Sequence, residues 1–379
     1  MKILQVNKMY SPDIGGVETV CQQYSECYSK QHDVTVLCVN KNFKFFGTTT
    51  YINNVKVIRC SSLGTFFSMP VSFSFIFNFF FQFLKCDVAF IHLPFPLADL
   101  SLFISYFIKR KVYLVWHSDI VKQGFLKKLL FPLLNWTVHA ADQIIVTSPK
   151  MLEHSSSLRG VVDKVLIIPL SIDSKKIRGI SSLNAEDLFS ELNLSHVSKP
   201  LDGLFFGRLC YYKGVYVLLN MLLLAKKSGL NCKVLIAGCG EYSSVVESFI
   251  KKHELSNVFF VNRFLSDAEK YYLISKSKCF LFPSVEVSEA FGITQLEAMC
   301  LGVPVINTNL ASGVPWVSLD HVTGLTVEPN NAKQFLHAFS LLLSNDCMLK
   351  KFSVNAVDRV NSEFDDSVVF NKLNLLIKE

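Results

Sequence analysis

The chain has 379 residues, half of them hydrophobic, and a formal net charge of +7. That length is too great for one compact core and suits two domains, and the apolar content excludes a disordered chain. The charge is compatible with anionic lipid or a phosphorylated ligand, whereas no helix-turn-helix, zinc-finger or RNA-recognition pattern speaks for nucleic acid.

The opening "MKILQVNKMY" lacks the long apolar core and small-residue cleavage site of a secretory signal. It reads as a first β-strand, and a cytoplasmic location is expected. The eleven cysteines are scattered without a CxxC pair, which argues against a disulfide framework and a zinc site. Several, such as Cys38 and Cys279, sit in apolar runs as small buried hydrophobes of a reducing compartment.

Short β-branched runs then alternate with helix-like segments. In the first half the strands are "KILQV", "DVTVLCV", "VKVIRC", "DVAFIHL", "KVYLVWH", "QIIVTS" and "KVLIIPL". In the second they are "DGLFFG", "KVLIAG", "NVFFVN", "CFLFPS", "VPVINT" and "GLTVEP". This alternation predicts an α/β protein of two doubly wound, Rossmann-like domains facing across a cleft. The expected divisions are 1–175, a polar serine-rich linker at 176–199, a second domain at 200–354, and a C-terminal helix at 355–379. By analogy that helix packs back on the first domain.

Two first-half segments raise the question of a membrane. "FFSMPVSFSFIFNFFFQFL" (Phe66 to Leu84) runs nineteen residues without a charge, long enough for a span. Pro70, three serines, Asn78 and Gln82 interrupt it. A span here would also strand the first strands across the bilayer from their pairing partners. A helix buried in the first domain, or lying in the membrane surface, is the expectation. "FLKKLLFPLLNW" (Phe125 to Trp136) has an apolar body, Lys127, Lys128 and a terminal tryptophan, with "KRK" at Lys109 to Lys111 nearby. It suits an interfacial segment as well as a core helix with a basic edge.

In the second half, "SEAFGITQLEAM" places Glu289 and Glu297 around what looks like a helix start, where an anion is usually held. Glu297 follows Thr294 by three residues and could close a capping box, and Glu289 could be an ordinary loop acid. "FFGRLCYYKG" changes that weighing. Arg208 and Lys213 leave the carboxyl end of a strand, where open α/β sheets bind ligands, and Gly207 and Gly214 permit a tight path. A guanidinium fork and a point charge can clamp different oxygens of a diphosphate. The carboxylates are then free to accept hydrogen bonds from sugar hydroxyls.

With "GCGE", "PSVEVSEAFGITQLEAM" and "GLTVEP", these residues resemble the retaining glycosyltransferases of family 4, which have the two-domain GT-B fold. The Glu-x7-Glu spacing at Glu289 and Glu297 is a hallmark of that family. "YSPDIGGVETV", "VWHSDI", "VTSP" and "LIIPLSID" match too, so the resemblance covers nearly the whole chain. It implies that Arg208 and Lys213 neutralise the donor's diphosphate, that Glu289 holds the donor sugar's hydroxyls, and that Glu297 holds the ribose. Backbone amides around Phe291, Gly292 and Ile293 would reach sugar and phosphate. Gly15 and Gly16 would admit the phosphate and acceptor side, His117 would point at the transferred sugar, and Asp119 would support its loop. "GCGE" reads as a strand-to-helix turn with a cap, and the remaining histidines show no metal-ligand spacing.

No convincing Asp-x-Asp is present, so neither a metal nor another cofactor is expected. The resemblance implies hexosyl transfer with retention from a nucleotide-sugar, GDP-mannose favoured. The acceptor would be a polyprenyl-diphosphate-linked oligosaccharide of O-antigen or capsule, met peripherally at the cytoplasmic face of the inner membrane. A UDP-hexose or UDP-N-acetylhexosamine donor stays open, as does a non-catalytic nucleotide-sugar-binding protein. A nicotinamide oxidoreductase should show a GxGxxG after a strand, and no convincing one is present.

Overall fold

The computed structural model describes residues 1–13, 15–66, 69–118, 124–181 and 200–378. The chain divides into two compact units, Met1–Ile168 with Phe370–Glu379, and Pro169–Val369.

In the first unit the elements run β1 (Lys2–Val6), α1 (Gly16–Ser29), β2 (Asp33–Val39), β3 (Thr48–Ile52), β4 (Val55–Cys60), β5 (Thr65–Phe66), β6 (Met69–Pro70), α2 (Phe73–Lys85), β7 (Val88–Leu93), α3 (Pro96–Ile104), β8 (Lys111–Trp116), α4 (Gly124–Ala140), β9 (Gln143–Val146), α5 (Pro149–His154) and β10 (Val165–Ile167). Eight strands form one sheet in the order β10-β9-β8-β7-β1-β2-β4-β3. All its pairings are parallel except β3 with β4. The run "TTTYI" of β3 was absent from the expected strands because it lies at the sheet edge, largely exposed, and needs no apolar face. Central β7 is buried along its whole length, as its unbroken apolar run requires.

The charge-free stretch of the first half becomes helix only from Phe73. Ser72 caps it, its side chain accepting from the Phe75 amide at 3.2 Å. Phe75, Phe79 and Phe83 recur at helical spacing and bury one face, worth roughly 1.5–3 kcal/mol per side chain. Among the described residues no helix is long and apolar enough to cross a membrane.

The second unit begins with α6 (Ser174–Ser181) and β11 (Leu201–Phe206), followed by a 3-10 turn at Tyr211–Lys213. Then come α7 (Val215–Lys227), β12 (Val234–Ala237), α8 (Ser243–Lys252), β13 (Val258–Val261), α9 (Asp267–Ser275), β14 (Ser277–Leu281), α10 (Ile293–Cys300), β15 (Val305–Thr308), α11 (Val314–Val317), β16 (Gly324–Val327), α12 (Ala332–Leu343) and α13 (Asp346–Arg359). Its six strands are all parallel, in the order β13-β12-β11-β14-β15-β16.

Residues 176–181, expected as linker, belong to α6 of this unit: Ile177 is buried and Arg178 Nε donates to the Cys300 carbonyl at 3.3 Å. Residues 182–199 lie outside the described part. The last helix, α14 (Asp366–Leu376), is shared, and from Phe370 on its residues belong to the first unit. There Tyr28 and Tyr113 donate their hydroxyls to the carbonyls of Leu373 and Leu376 at 2.9 and 3.2 Å.

Each sheet has one switch point. The chain winds outward from β11 to β13, then restarts at β14 on the other side of β11; in the first unit the same reversal falls between β1 and β7. The carboxyl ends of strands beside such reversals leave a crevice between diverging loops, where ligands bind in sheets of this kind.

Candidate active site

In the second unit the loops after β11 and β14 carry the expected site. Arg208 is exposed, and its guanidinium has no hydrogen-bond or ion-pair partner among the described residues. The "GCGE" turn braces this loop: Leu209 donates to the Cys239 carbonyl and Tyr242 to the Leu209 carbonyl, both at 3.1 Å. No side chain caps the helix after that turn. Gly214 has φ 71°, and a Cβ there would come 1.8 Å from the Pro283 oxygen. That close approach, with Val285 donating to the Tyr212 carbonyl at 2.9 Å, seats the β11 loop against the β14 loop. Lys213 Nζ thereby reaches Glu289 Oε2 at 2.5 Å, with the side chains only 13% and 10% exposed. Ser284 Oγ donates to the same Oε2 at 3.3 Å, which leaves Oε1 for another donor.

Glu297 repeats this arrangement. Lys270 Nζ at 2.6 Å and the Tyr271 hydroxyl at 3.3 Å both reach its Oε1, while its buried Oε2 has no partner. Burial pushes the Glu297 carboxyl up, with Lys270 opposing. Burial works against the Lys270 charge too, but the Glu297 carboxylate overrides it and holds the ammonium above its usual range. Lys270 Nζ also lies over the ring of Phe206, the last residue of β11, at 5.8 Å. The Glu297 pair and the Arg208 loop therefore flank one strand end.

The capping-box reading of Glu297 fails. Gly292, in left-handed backbone with φ 81°, is the cap of α10, so Thr294 stands inside the helix and its hydroxyl caps nothing. A Cβ on Gly292 would come 2.7 Å from the Phe282 ring. Phe291 is buried, its ring packed edge-on to Trp316 and Phe364, so only its backbone is available to a ligand. Ile293 opens α10 and brings first-turn amides to the same loop.

In the first unit His117 follows β8 and is buried. Its Nε2 lies 2.9 Å from Nδ1 of His92, near the end of neighbouring β7, and His92 Nε2 lies 3.0 Å from Gln5 Oε1 on β1. Burial, with the Lys8 charge adding, lowers the His117 pKa to about 3, and burial with His117 drives His92 well below its usual value. Both rings are neutral at neutral pH. With the Gln5 oxygen accepting from His92 Nε2, His92 Nδ1 accepts from His117 Nε2–H and leaves His117 Nδ1 as an acceptor; turning the Gln5 amide, whose Nε2 has no partner, makes His117 Nδ1 a donor.

Gly15 caps α1 in extended backbone, and Gly16 is its first residue. Neither needs glycine for its own conformation: a Cβ on Gly15 meets only the movable Glu18 carboxylate, and one on Gly16 meets nothing within 4 Å. Asp119 lies outside the described residues.

Four participants were absent from the expected site. Lys270 and Tyr271 come from a helix distant in sequence. His92 and Gln5 are brought to His117 by strand pairing. The sequence did carry one sign of His92: the neighbouring strand runs "DVAFIHL" and "KVYLVWH" both reach a histidine at their carboxyl ends.

Residues 193–359 match the family described as Glycosyl transferases group 1, and residues 14–176 match Glycosyltransferase Family 4. Over 370 residues the chain is 30% identical to the O-antigen chain mannosyltransferase C of Escherichia coli, covering 96% of this chain and 94% of the relative. It is 30% identical over 280 residues to the D-rhamnosyltransferase WbpZ of Pseudomonas aeruginosa, 74% of this chain and 70% of the relative. In fold it is similar to Anabaena Alr3699/HepE in complex with UDP, with TM-score 0.77, 15% identity and 100% of both chains covered. The fold and the sequence similarity define a glycosyltransferase of the GT-B class. The chain belongs to glycosyltransferase family 4.

Proposed function

We propose that the protein transfers a hexose, with retention of anomeric configuration, from a nucleotide-sugar to a lipid-linked oligosaccharide of a bacterial surface polysaccharide. The observation that carries this reading is the matched pair of glutamates at one switch point. Each gives one oxygen to a lysine and a hydroxyl and keeps the other for a ligand, beside an arginine whose side chain has no partner among the described residues. A lysine ammonium has three donors, so Lys213 can stay on Glu289 while its remaining N–H groups and the Arg208 fork take the diphosphate.

In this reading Glu289 Oε1 accepts from a sugar hydroxyl and Glu297 Oε2 accepts from the ribose; in the first unit His117 offers Nδ1 to a sugar hydroxyl. The acceptor oxygen bonds to the anomeric carbon on the face the diphosphate leaves. The bond from that carbon to the phosphate oxygen breaks, and the acceptor's proton passes to the leaving phosphate. Arg208 and Lys213 offset the charge that grows there, so no metal is required. Mannose is favoured because the sugars in both relatives' names, mannose and D-rhamnose (6-deoxymannose), share one configuration. GDP-mannose is the proposed donor and a polyprenyl-diphosphate oligosaccharide the proposed acceptor.

The test is a panel of GDP- and UDP-sugars with a bacterial membrane extract as acceptor, the product's anomeric configuration being read by NMR. Transfer from GDP-mannose with retention, unaffected by a chelator, is the expected result. Inversion, or a loss on chelation that magnesium or manganese restores, would overturn the clamp; binding without transfer would mark a non-catalytic protein.

A further inference from the structure

The outward face of α2 is apolar. Phe73, Phe77, Phe80, Phe81 and Leu84 recur at i, i+4, i+7, i+8 and i+11, and all five are exposed, Phe73 and Phe77 by 69% and 68%. A soluble surface rarely leaves so continuous an apolar stripe open. Helix α3 packs against α2 and exposes further apolar side chains, Phe103, Ile104 and, just beyond it, Tyr106 and Phe107, the last 92% exposed, with Phe103 and Tyr106 edge-on to Trp136 of α4.

Charge then decides what covers it. Arg110 bonds the carbonyls of Phe83 and Leu84, at 3.4 and 2.7 Å, which fixes a basic cluster at the end of the stripe. Lys85, Lys109 and Lys111 flank it, all exposed. Between residues 61 and 111 the only carboxylates are Asp87 and Asp99. Asp87 accepts the Lys2 amide at 2.7 Å, and Asp99 is buried. Asp142, which accepts the Val112 amide at 2.7 Å beside Lys111, and Asp87 leave the cluster of Lys85, Lys109, Arg110 and Lys111 in net positive charge, and the headgroups of an anionic bilayer match an apolar face with such an edge.

We propose that the α2–α3 face docks in the plane of an anionic membrane, its phenylalanines entering the headgroup boundary and its lysines meeting acidic lipids. At thirteen residues α2 is about 20 Å long, too short to cross a hydrocarbon core of roughly 30 Å, so the protein lies on the membrane. This inference rests on the first unit alone and holds whichever sugar is transferred.

The experiment is flotation of the full chain with phosphatidylethanolamine–phosphatidylglycerol vesicles and, separately, with phosphatidylcholine vesicles, thermal melting serving as the control for folding. The wild-type chain should float with the anionic vesicles and be released by high salt. Phe77→Ser with Phe81→Ser should lower the partition coefficient about tenfold or more while melting stays near wild type. Lys109→Gln with Lys111→Gln, which leaves the apolar stripe intact, should lower it by roughly fivefold per charge. Failure of the wild-type chain to float, or flotation of the phenylalanine variant like wild type, overturns the proposal. So does a dimer, seen by sedimentation, that the phenylalanine changes dissolve without any vesicle binding, because the face then belongs to a second copy.

Discussion

At the switch point of the second sheet the candidate side chains are charged, two lysines paired with two glutamates beside Arg208, whereas at that of the first they are neutral and chained. Lys213 with Glu289 and Lys270 with Glu297 hold four charges at low exposure, each stabilised by an opposite one. Gln5, His92 and His117 hold none at neutral pH, because burial depresses both histidines and the Lys8 charge adds to the effect on His117. Two sheets of similar winding thus carry opposite electrostatics in the same topological position. Fixed charge suits a diphosphate whose own charge grows during reaction, and a neutral imidazole suits a sugar hydroxyl.

The largest effect expected separates the free cation from the paired one. Arg208→Ala removes an exposed side chain with no hydrogen-bond or ion-pair partner among the described residues, so turnover should fall about a hundredfold or more while stability moves by no more than about 0.5 kcal/mol. Lys213→Ala should lose as much turnover and in addition destabilise the fold by about 2–4 kcal/mol, since it leaves Glu289 in a nearly buried site without its partner. Initial rates and denaturant melts measure both. Near-normal turnover in either variant breaks the diphosphate assignment, and equal stability losses break the contrast between free and paired cation.

The neutral chain should reveal itself in acid. A histidine depressed from 6.5 to about 3, as His117 is, binds its proton more readily unfolded than folded. Its contribution is therefore whole above pH 6.5 and is lost as pH falls toward 3, at up to about 1.4 kcal/mol per pH unit for each histidine. His92→Gln and His117→Gln should each flatten the slope of stability against pH between 6 and 4. An unchanged slope in both would mean that these rings are hydrated and not buried as neutral groups.

Glu297 sharpens the comparison within the charged site. Lys270→Met leaves its carboxylate buried without a counter-charge, so its pKa should rise further and its capacity to hold a ribose should drop. Affinity for a nucleoside diphosphate, by calorimetry at pH 7, is expected to fall about tenfold, the scale of a charged hydrogen bond. A gain in affinity would show instead that Lys270 competes with the ribose for the carboxylate.

What could be read from the sequence follows the distance along the chain over which each feature is built. Arg208, Lys213, Glu289 and Glu297 stand in two short loops whose spacing sets their placement, and the alternating strands marked both sheets. Lys270 and Tyr271 carried no such signal, since α9 meets α10 only once the sheet order is set. His92 becomes legible only once the strand runs that end in histidine are paired, because β7 and β8 lie side by side only in the folded sheet. Thr294 looked like a helix cap because a left-handed glycine cap shows no polar side chain. The charge-free run concealed where α2 begins and, with it, the alternation of buried and exposed phenylalanines.

The smallest effect concerns how α9 presents Lys270. Ser266 and Glu269 close a capping box at its first turn, Ser266 accepting from the Glu269 amide at 3.3 Å and Glu269 accepting from the Ser266 amide at 2.7 Å. Arg263 does most to lower the Glu269 carboxyl, to about 2, with further help from Ser266 and against a cost from burial. The sign is opposite to that of the histidines in cause but not in direction: this carboxylate supports the fold above pH 4.5 and loses that support as pH falls toward 2. Ser266→Ala should cost about 1 kcal/mol at pH 7 by thermal melting. Nucleotide affinity should stay within about twofold, because the Lys270 ammonium is held by Glu297, Asp267 and the Tyr271 ring, none of which is the Ser266 cap. A tenfold loss of affinity would locate the positioning of Lys270 in the helix start, and the ion pair with Glu297 would then be its consequence.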